Sequence, residues 1–236
     1  EVLTHFFGTK HMMQNLESAT PAALDSLVTS ASNCVVHWDE YSEGVGRDTK
    51  KLDQIKNLWG GDGRSKMSAS TNFQEASSKK VKCGVVLTGE VMPNHIDSMP
   101  RRMVMFNFFD DKEKFAKNEQ AYNRLVEMYT PGLQYLTAEI LAQRSLFEQE
   151  YPTVYQSMLK LVNEHLKDQH GIESSIKTNW TQLLATYMTL QSFDWWPFNI
   201  TELLPKTVEK IIWHSGVSES KNRRVEFWRE VILAAE

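Results

Sequence analysis

Two apolar runs in the first half of the chain share one build. "CVVHW" opens at Cys34 and ends on the adjacent acids Asp39 and Glu40, while "CGVVL" opens at Cys83 and runs into Thr88, Gly89 and Glu90. In each, a cysteine starts the run, valines fill it, and a polar cluster begins five residues after the cysteine. Short valine-rich runs bounded by Gly, Ser and Asp predict strands. "RMVMFNFF", Arg102 to Phe109, reads as a third. Between the first two, "TKKLDQIKNLW" sets Leu52, Ile55, Leu58 and Trp59 on one helical face. Upstream, Thr20 is placed to cap a helix with Pro21 at its first position and Leu24, Leu27 and Val28 on its apolar side. Strand, helix, strand predicts a parallel crossover. Cys34 and Cys83 should therefore lie on neighbouring parallel strands, buried and unbonded.

The period changes near Asp111. Phe115, Tyr122, Leu125, Val126 and Tyr129 recur at helical spacing until Pro131 and Gly132 interrupt them. "LQYLTAEILAQRSLFEQEY" and "TVYQSMLKLVNEHLKDQHG" read as two further helices, the second closed by Gly171. Helical segments continue to the end, with "SFDWWPFNI" as an aromatic corner between them. The pattern predicts an α/β part, residues 1–111, followed by an α-helical C-terminal domain, residues 112–236.

Composition changes this picture little. A net charge of −4 over 236 residues gives no bulk basicity for nucleic acid. No apolar run is long enough to span a bilayer. Two cysteines without CxxC spacing fit neither a disulfide framework nor a zinc site, which points weakly to the cytoplasm. The chain opens on Glu1 rather than Met, as a segment of a longer protein would.

Parallel strands joined by a crossover end on the same side of the sheet, where α/β proteins bind ligands. Asp39 and Glu40 should then share a rim with Thr88, Gly89 and Glu90. A strand that simply ends in polar residues has the same local sequence. Phosphoryl chemistry has a specific use for it: one acid holds Mg²⁺ through water and the next activates the attacking water. "CVVHWDEY", a helix, "LWGGDGRSKMS", "CGVVLTGE" and "MPRRMVMFNF" in that order resemble the back half of an AAA+-like P-loop ATPase. More narrowly they resemble the primase-helicase ATPases of phages and mobile elements, related to the superfamily-three helicases. The resemblance covers roughly residues 20–110.

It implies a truncated P-loop NTPase core with a parallel sheet. Asp39 is similar to the Walker B acid on the metal side, Glu40 to the catalytic base, and Thr88 to the sensor residue. Glu90 joins Asp39 on the cofactor-binding rim. Arg101 or Arg102 resembles the arginine finger that reaches a neighbouring subunit's nucleotide, although an arginine pair is often only solvated. ATP and Mg²⁺ are the implied cofactors, and DNA and a homo-oligomeric ring the implied partners. Three features depart from the family. His37 and Trp38 interrupt the aliphatic run, the sensor position is Thr rather than Asn, and no G-x-x-x-x-G-K-[ST] occurs. Without that loop the chain should turn over little ATP. Either "EVLTHFFG" follows a phosphate loop that lies upstream, or the fold is a degenerate NTPase used as a scaffold or protein-binding module.

Residues 60–80, "GGDGRSKMSASTNFQEASSKK", are long, polar and poor in apolar residues. Arg64, Lys66, Lys79, Lys80 and, just beyond, Lys82 form a basic strip with Phe73 within it. Lysines there suit phosphates and a ring suits a stacked base of single-stranded DNA. A solvated surface loop would look the same. His165 and His170 have the wrong spacing for a shared metal face, and no nucleophile accompanies His95 and Asp97.

Overall fold

A computed structural model describes residues 2–8, 12–66, 77–93, 98–107, 112–130, 132–194, 196, 202–219, 227 and 231–233. The chain divides into two compact units, Glu1–Met92 with Asn107–Leu141, and Pro93–Phe106 with Ala142–Glu236.

The first unit is α/β. It contains α1 (Val2–His5), β1 (Met13–Asn15), α2 (Pro21–Ser30), β2 (Ser32–Tyr41), α3 (Glu43–Arg47), α4 (Thr49–Leu58), β3 (Asp62–Lys66), β4 (Ser77–Lys80) and β5 (Lys82–Gly89). Strands β1, β2 and β5 form a parallel sheet in the order β1-β2-β5, and β3 and β4 pair antiparallel. Helix α2 starts as its sequence dictates: Thr20 Oγ1 accepts from the Ala23 amide at 3.2 Å and Pro21 needs no partner for a missing N–H. It packs on β2 and β5 through Leu24 and Val28, both fully buried with Val36 and Trp38. Each such side chain contributes about 2 kcal/mol by burial. Helix α4 buries Leu52 and Ile55, whereas Trp59 lies past its end and is 54% exposed, outside the face its spacing predicted.

The two cysteines lie on adjacent parallel strands and form no disulfide, as expected. They are half-buried rather than buried. The Cys83 thiol donates to the Val28 carbonyl at 3.4 Å, and burial, with Cys34 nearby, pushes its pKa up. Helices α5 (Lys112–Tyr129) and α6 (Gln134–Ala142) follow. The start of α6 docks on the first turn: the Leu133 amide donates to the His5 carbonyl at 3.1 Å and the Thr137 hydroxyl to the Phe6 carbonyl at 2.5 Å. The predicted apolar face of α5 is not a buried one, since Tyr122 is 50% and Leu125 40% exposed.

The second unit is helical: α7 (Arg144–His165), α8 (Ser174–Gln191) and α9 (Leu203–Glu219). Val162, Leu166, Ile176, Trp180, Leu184 and Ile211 form its core. The helical break expected at Pro152 falls instead at Gln143, and α7 runs through the proline. An interior proline removes one backbone bond and crowds the preceding turn; the packing of α7 on α8 offsets that cost. Gly171 adopts φ 75° several residues beyond the end of α7, so it shapes the α7–α8 connection rather than closing the helix.

The strand expected over Arg102–Phe109 is absent from its described part. Pro100–Arg102 form a 3-10 turn and residues 103–107 have no regular structure. Asn179 Nδ2 of α8 donates to the carbonyls of Arg101 and Met103 at 3.2 and 3.4 Å. Met105 is buried and Val104 packs against the helical core. An apolar run can thus be a strap over helices, its carbonyls met by a side-chain amide instead of a neighbouring strand. No described helix is long and apolar enough to cross a membrane.

Candidate functional site

Strands β2 and β5 end side by side. His37 pairs with Val86 and Trp38 with Leu87, after which the register slips and Tyr41 pairs with Gly89. The slip sets Asp39 and Glu40 of β2 against Thr88 alone, a bulge that bends the strand and re-aims its side chains. Glu40 takes φ 61°, a left-handed conformation uncommon for a side chain other than glycine. The close approach requires Gly89. A Cβ there would stand 2.2 Å from the Tyr41 carbonyl oxygen and 2.6 Å from its nitrogen.

Alternation along β2 gives His37 and Asp39 the same face. Both reach Thr88. His37 Nε2 lies 2.7 Å from Thr88 Oγ1, and the Thr88 hydroxyl donates to Asp39 Oδ1. His37 Nε2 and Asp39 Oδ1 are 3.9 Å apart. The Thr88 hydroxyl lowers the Asp39 pKa most. Partial burial opposes it, and the Glu40 backbone N–H and the His37 charge add to the lowering. The Asp39 side chain stays 29% exposed, so an ionised carboxylate with acceptor capacity to spare faces solvent. On the other side of β2, the Leu16 amide donates to the Asp39 carbonyl at 2.8 Å. Lys51, only 8% exposed, donates to the Leu16 and Glu17 carbonyls at 2.5 and 3.1 Å, tying α4 to the carboxyl end of β1.

Of the residues the sequence nominated, Asp39, Glu40 and Thr88 come together. Glu90 is exposed just beyond β5. Arg101 and Arg102 belong to the second unit, on the 3-10 turn. Arg101 Nη2 is paired with Glu173 Oε1 at 2.8 Å, and the Arg101 Nε is buried without a hydrogen-bond partner. Arg64 and Lys66 lie on β3, Lys79 and Lys80 on β4, and Lys80 is exposed. Phe73 lies outside the described residues, as do His95 and Asp97. The long polar segment is therefore partly a hairpin, closed at its base where Val81 donates to the Gly61 carbonyl at 2.8 Å.

No family model, no curated protein and no solved structure matches this chain. The site stands on its own geometry.

Among the described residues no group of three or more His, Cys, Asp or Glu could hold a metal ion together. Asp39 is one half-buried carboxylate, and Mg²⁺ held by one or two carboxylates takes the rest of its shell from water and substrate phosphates. The phosphates of a nucleotide find no glycine-rich lysine loop in these 236 residues. The residue that the sequence missed is His37. It stood out only as an interruption in an aliphatic run. Its signal was its position two residues before Asp39, which puts both on one face of the strand.

Proposed function

We propose that the chain carries the acid-and-sensor part of an AAA+-like P-loop ATPase of the primase-helicase kind, working on DNA in the cytoplasm. The observation that supports this best is the Thr88–Asp39 hydrogen bond across two parallel strand ends. It couples the acid suited to a hydrated metal to a neighbouring strand, as a site that reads the state of a nucleotide requires. Bound Mg²⁺–ATP would supply the phosphoryl group and most of the charge neutralisation. Within this chain, Asp39 would hold the metal through its water, Glu40 on the exposed bulge would serve as the base for the attacking water, and Glu90 would line the rim. Arg101 or Arg102 acts in trans in a homo-oligomeric ring, exchanging a partner such as Glu173 for a neighbour's phosphate. Single-stranded DNA binds the segment 60–80 that carries Arg64, Lys66, Phe73, Lys79 and Lys80.

The absence of a phosphate loop from this sequence favours a second reading, a scaffold derived from the same fold without catalysis. ATP binding and turnover, measured on the chain and on Asp39→Asn and Glu40→Gln, separate the two. The ATPase reading expects weak Mg²⁺-dependent binding that Asp39→Asn reduces, and slight turnover that Glu40→Gln removes without loss of binding. Nucleotide binding indifferent to both substitutions, or no binding at all, supports the scaffold. Robust turnover that survives both changes contradicts either reading.

A further inference from the structure

We propose that Cys34 and Cys83 are a redox-active pair that closes into a cross-strand disulfide by exchange with a small-molecule disulfide such as glutathione disulfide. The pair lies near the amino ends of β2 and β5, away from Asp39 and Thr88, and its oxidation needs no nucleotide.

Register and alternation put the two thiols on one face. Val36 of β2 pairs with Val85 of β5, and each cysteine stands two residues before its valine. Side chains two apart on a strand share a face. Ser32 pairs with Lys82 and Val35 with Gly84, so Asn33 and Cys34 together oppose Cys83 alone. This is a second bulge in β2, with Asn33 in the left-handed region at φ 57°. Neighbouring strands run about 4.8 Å apart, within the span of about 4.4–6.8 Å between the α-carbons of a disulfide. Both cysteines are half-buried, and exposed Ser32, Asn33, Lys82 and Gly84 flank them, so the pair borders solvent.

The two thiols are not equivalent. Burial raises the Cys83 pKa, a charge on Cys34 raises it further, and the thiol donates to the Val28 carbonyl at 3.4 Å. Cys83 is thus held as the thiol. The thiolate is the attacking species, so the first attack falls to Cys34. The Cys34 thiolate attacks one sulfur of glutathione disulfide, forms a mixed disulfide and expels one glutathione thiolate. Cys83 then loses its proton, attacks the Cys34 sulfur and expels the second. The cysteines give up two electrons and two protons, and one glutathione disulfide becomes two glutathiones. A disulfide bordering solvent is of the readily reduced kind, so the change is reversible.

The experiment exposes the full chain, reduced and under native conditions, to glutathione disulfide and follows intact mass and the peptide map. Wild type should lose the mass of two hydrogen atoms and join the Cys34 and Cys83 peptides, and dithiothreitol should reverse both changes. Oxidation should raise the thermal midpoint by about 5–10 °C, because the bridge restricts the unfolded chain. Cys83→Ser should stop at the mixed disulfide, with one glutathione on Cys34, and Cys34→Ser should gain glutathione more slowly. A wild-type chain that keeps both thiols, or that stops at a glutathione adduct, overturns the proposal. So does a disulfide that joins two chains, or one that forms only in denaturant. Faster adduct formation in Cys34→Ser than in Cys83→Ser overturns Cys34 as the first attacker. If a serine variant fails to fold, the wild-type mass and peptide map decide the matter.

Discussion

His37 and His214 are both buried histidines beside a neutral hydrogen-bonding partner, and their surroundings give them opposite work. His37 sits in β2 with an acid 3.9 Å away and the Thr88 hydroxyl 2.7 Å away. His214, fully buried in α9, accepts at Nδ1 from Trp180 Nε1 at 3.0 Å. Its own Nε2, which therefore carries the proton, makes no hydrogen bond of good geometry. Burial lowers its pKa to about 4, with the Pro100 carbonyl pulling weakly the other way. One histidine is kept near charge and the other is kept from charging. A strand end leaves polar groups to be arranged, whereas a helical core accepts a polar group only in its neutral form. The first place leaves its polar groups facing solvent and the second holds its polar group by packing.

The largest effect should come from closing the gap at the strand end. Gly89→Ala forces the Tyr41 backbone to move and should cost about 3 kcal/mol in chemical denaturation. Gly84→Ala, on the same strand, meets nothing nearer than the Val35 side chain at 3.6 Å and should cost no more than about 1 kcal/mol. Equal effects would mean that the close approach at the bulge is not a constraint.

The acid side of the comparison comes next. His214 has a folded pKa below its unfolded value, so the unfolded chain binds more protons between the two. Its contribution is complete above about pH 6.5 and declines as pH falls toward about 4, a loss of about 2–3 kcal/mol. His214→Leu should flatten that part of the pH–stability curve whatever it does at neutral pH. A slope unchanged by the substitution would assign the acid sensitivity to other groups.

Thr88→Val should have a smaller effect, about 1 kcal/mol at neutral pH, from the lost bond to a charged acceptor. Asp39 has a folded pKa below its ordinary value. The stability it contributes is therefore present above its unfolded pKa and disappears as pH falls through the folded one. Wild type and Thr88→Val should converge in acid. A constant gap down to low pH would mean that the hydroxyl matters for packing rather than for the carboxylate.

The fold was legible where pattern and geometry are the same thing. Matched valine runs separated by an amphipathic helix specify neighbouring parallel strands, and Asp39 and Thr88 follow from where those runs stop. The strap at residues 103–107 was not legible, because Met103, Val104 and Met105 look alike in a strand and in a segment pinned by Asn179. Nor was α7, since its continuation through Pro152 depends on packing against α8 rather than on local preference. His37 was visible as a departure, but its meaning needed the identity of the residue across the sheet. The bulge that turns Glu40 outward leaves no local mark, since its signal is Gly89 on the other strand.

Paramagnetic broadening of the amide spectrum by Mn²⁺ tests the central claim, that the two strand ends form one cation-receptive site. At low Mn²⁺ the amides of Asp39, Glu40, Thr88 and Gly89 should broaden first and together, and Asp39→Asn should abolish this. Broadening that begins at other surface carboxylates and spares those four residues, or that persists at the strand ends in Asp39→Asn, would contradict it.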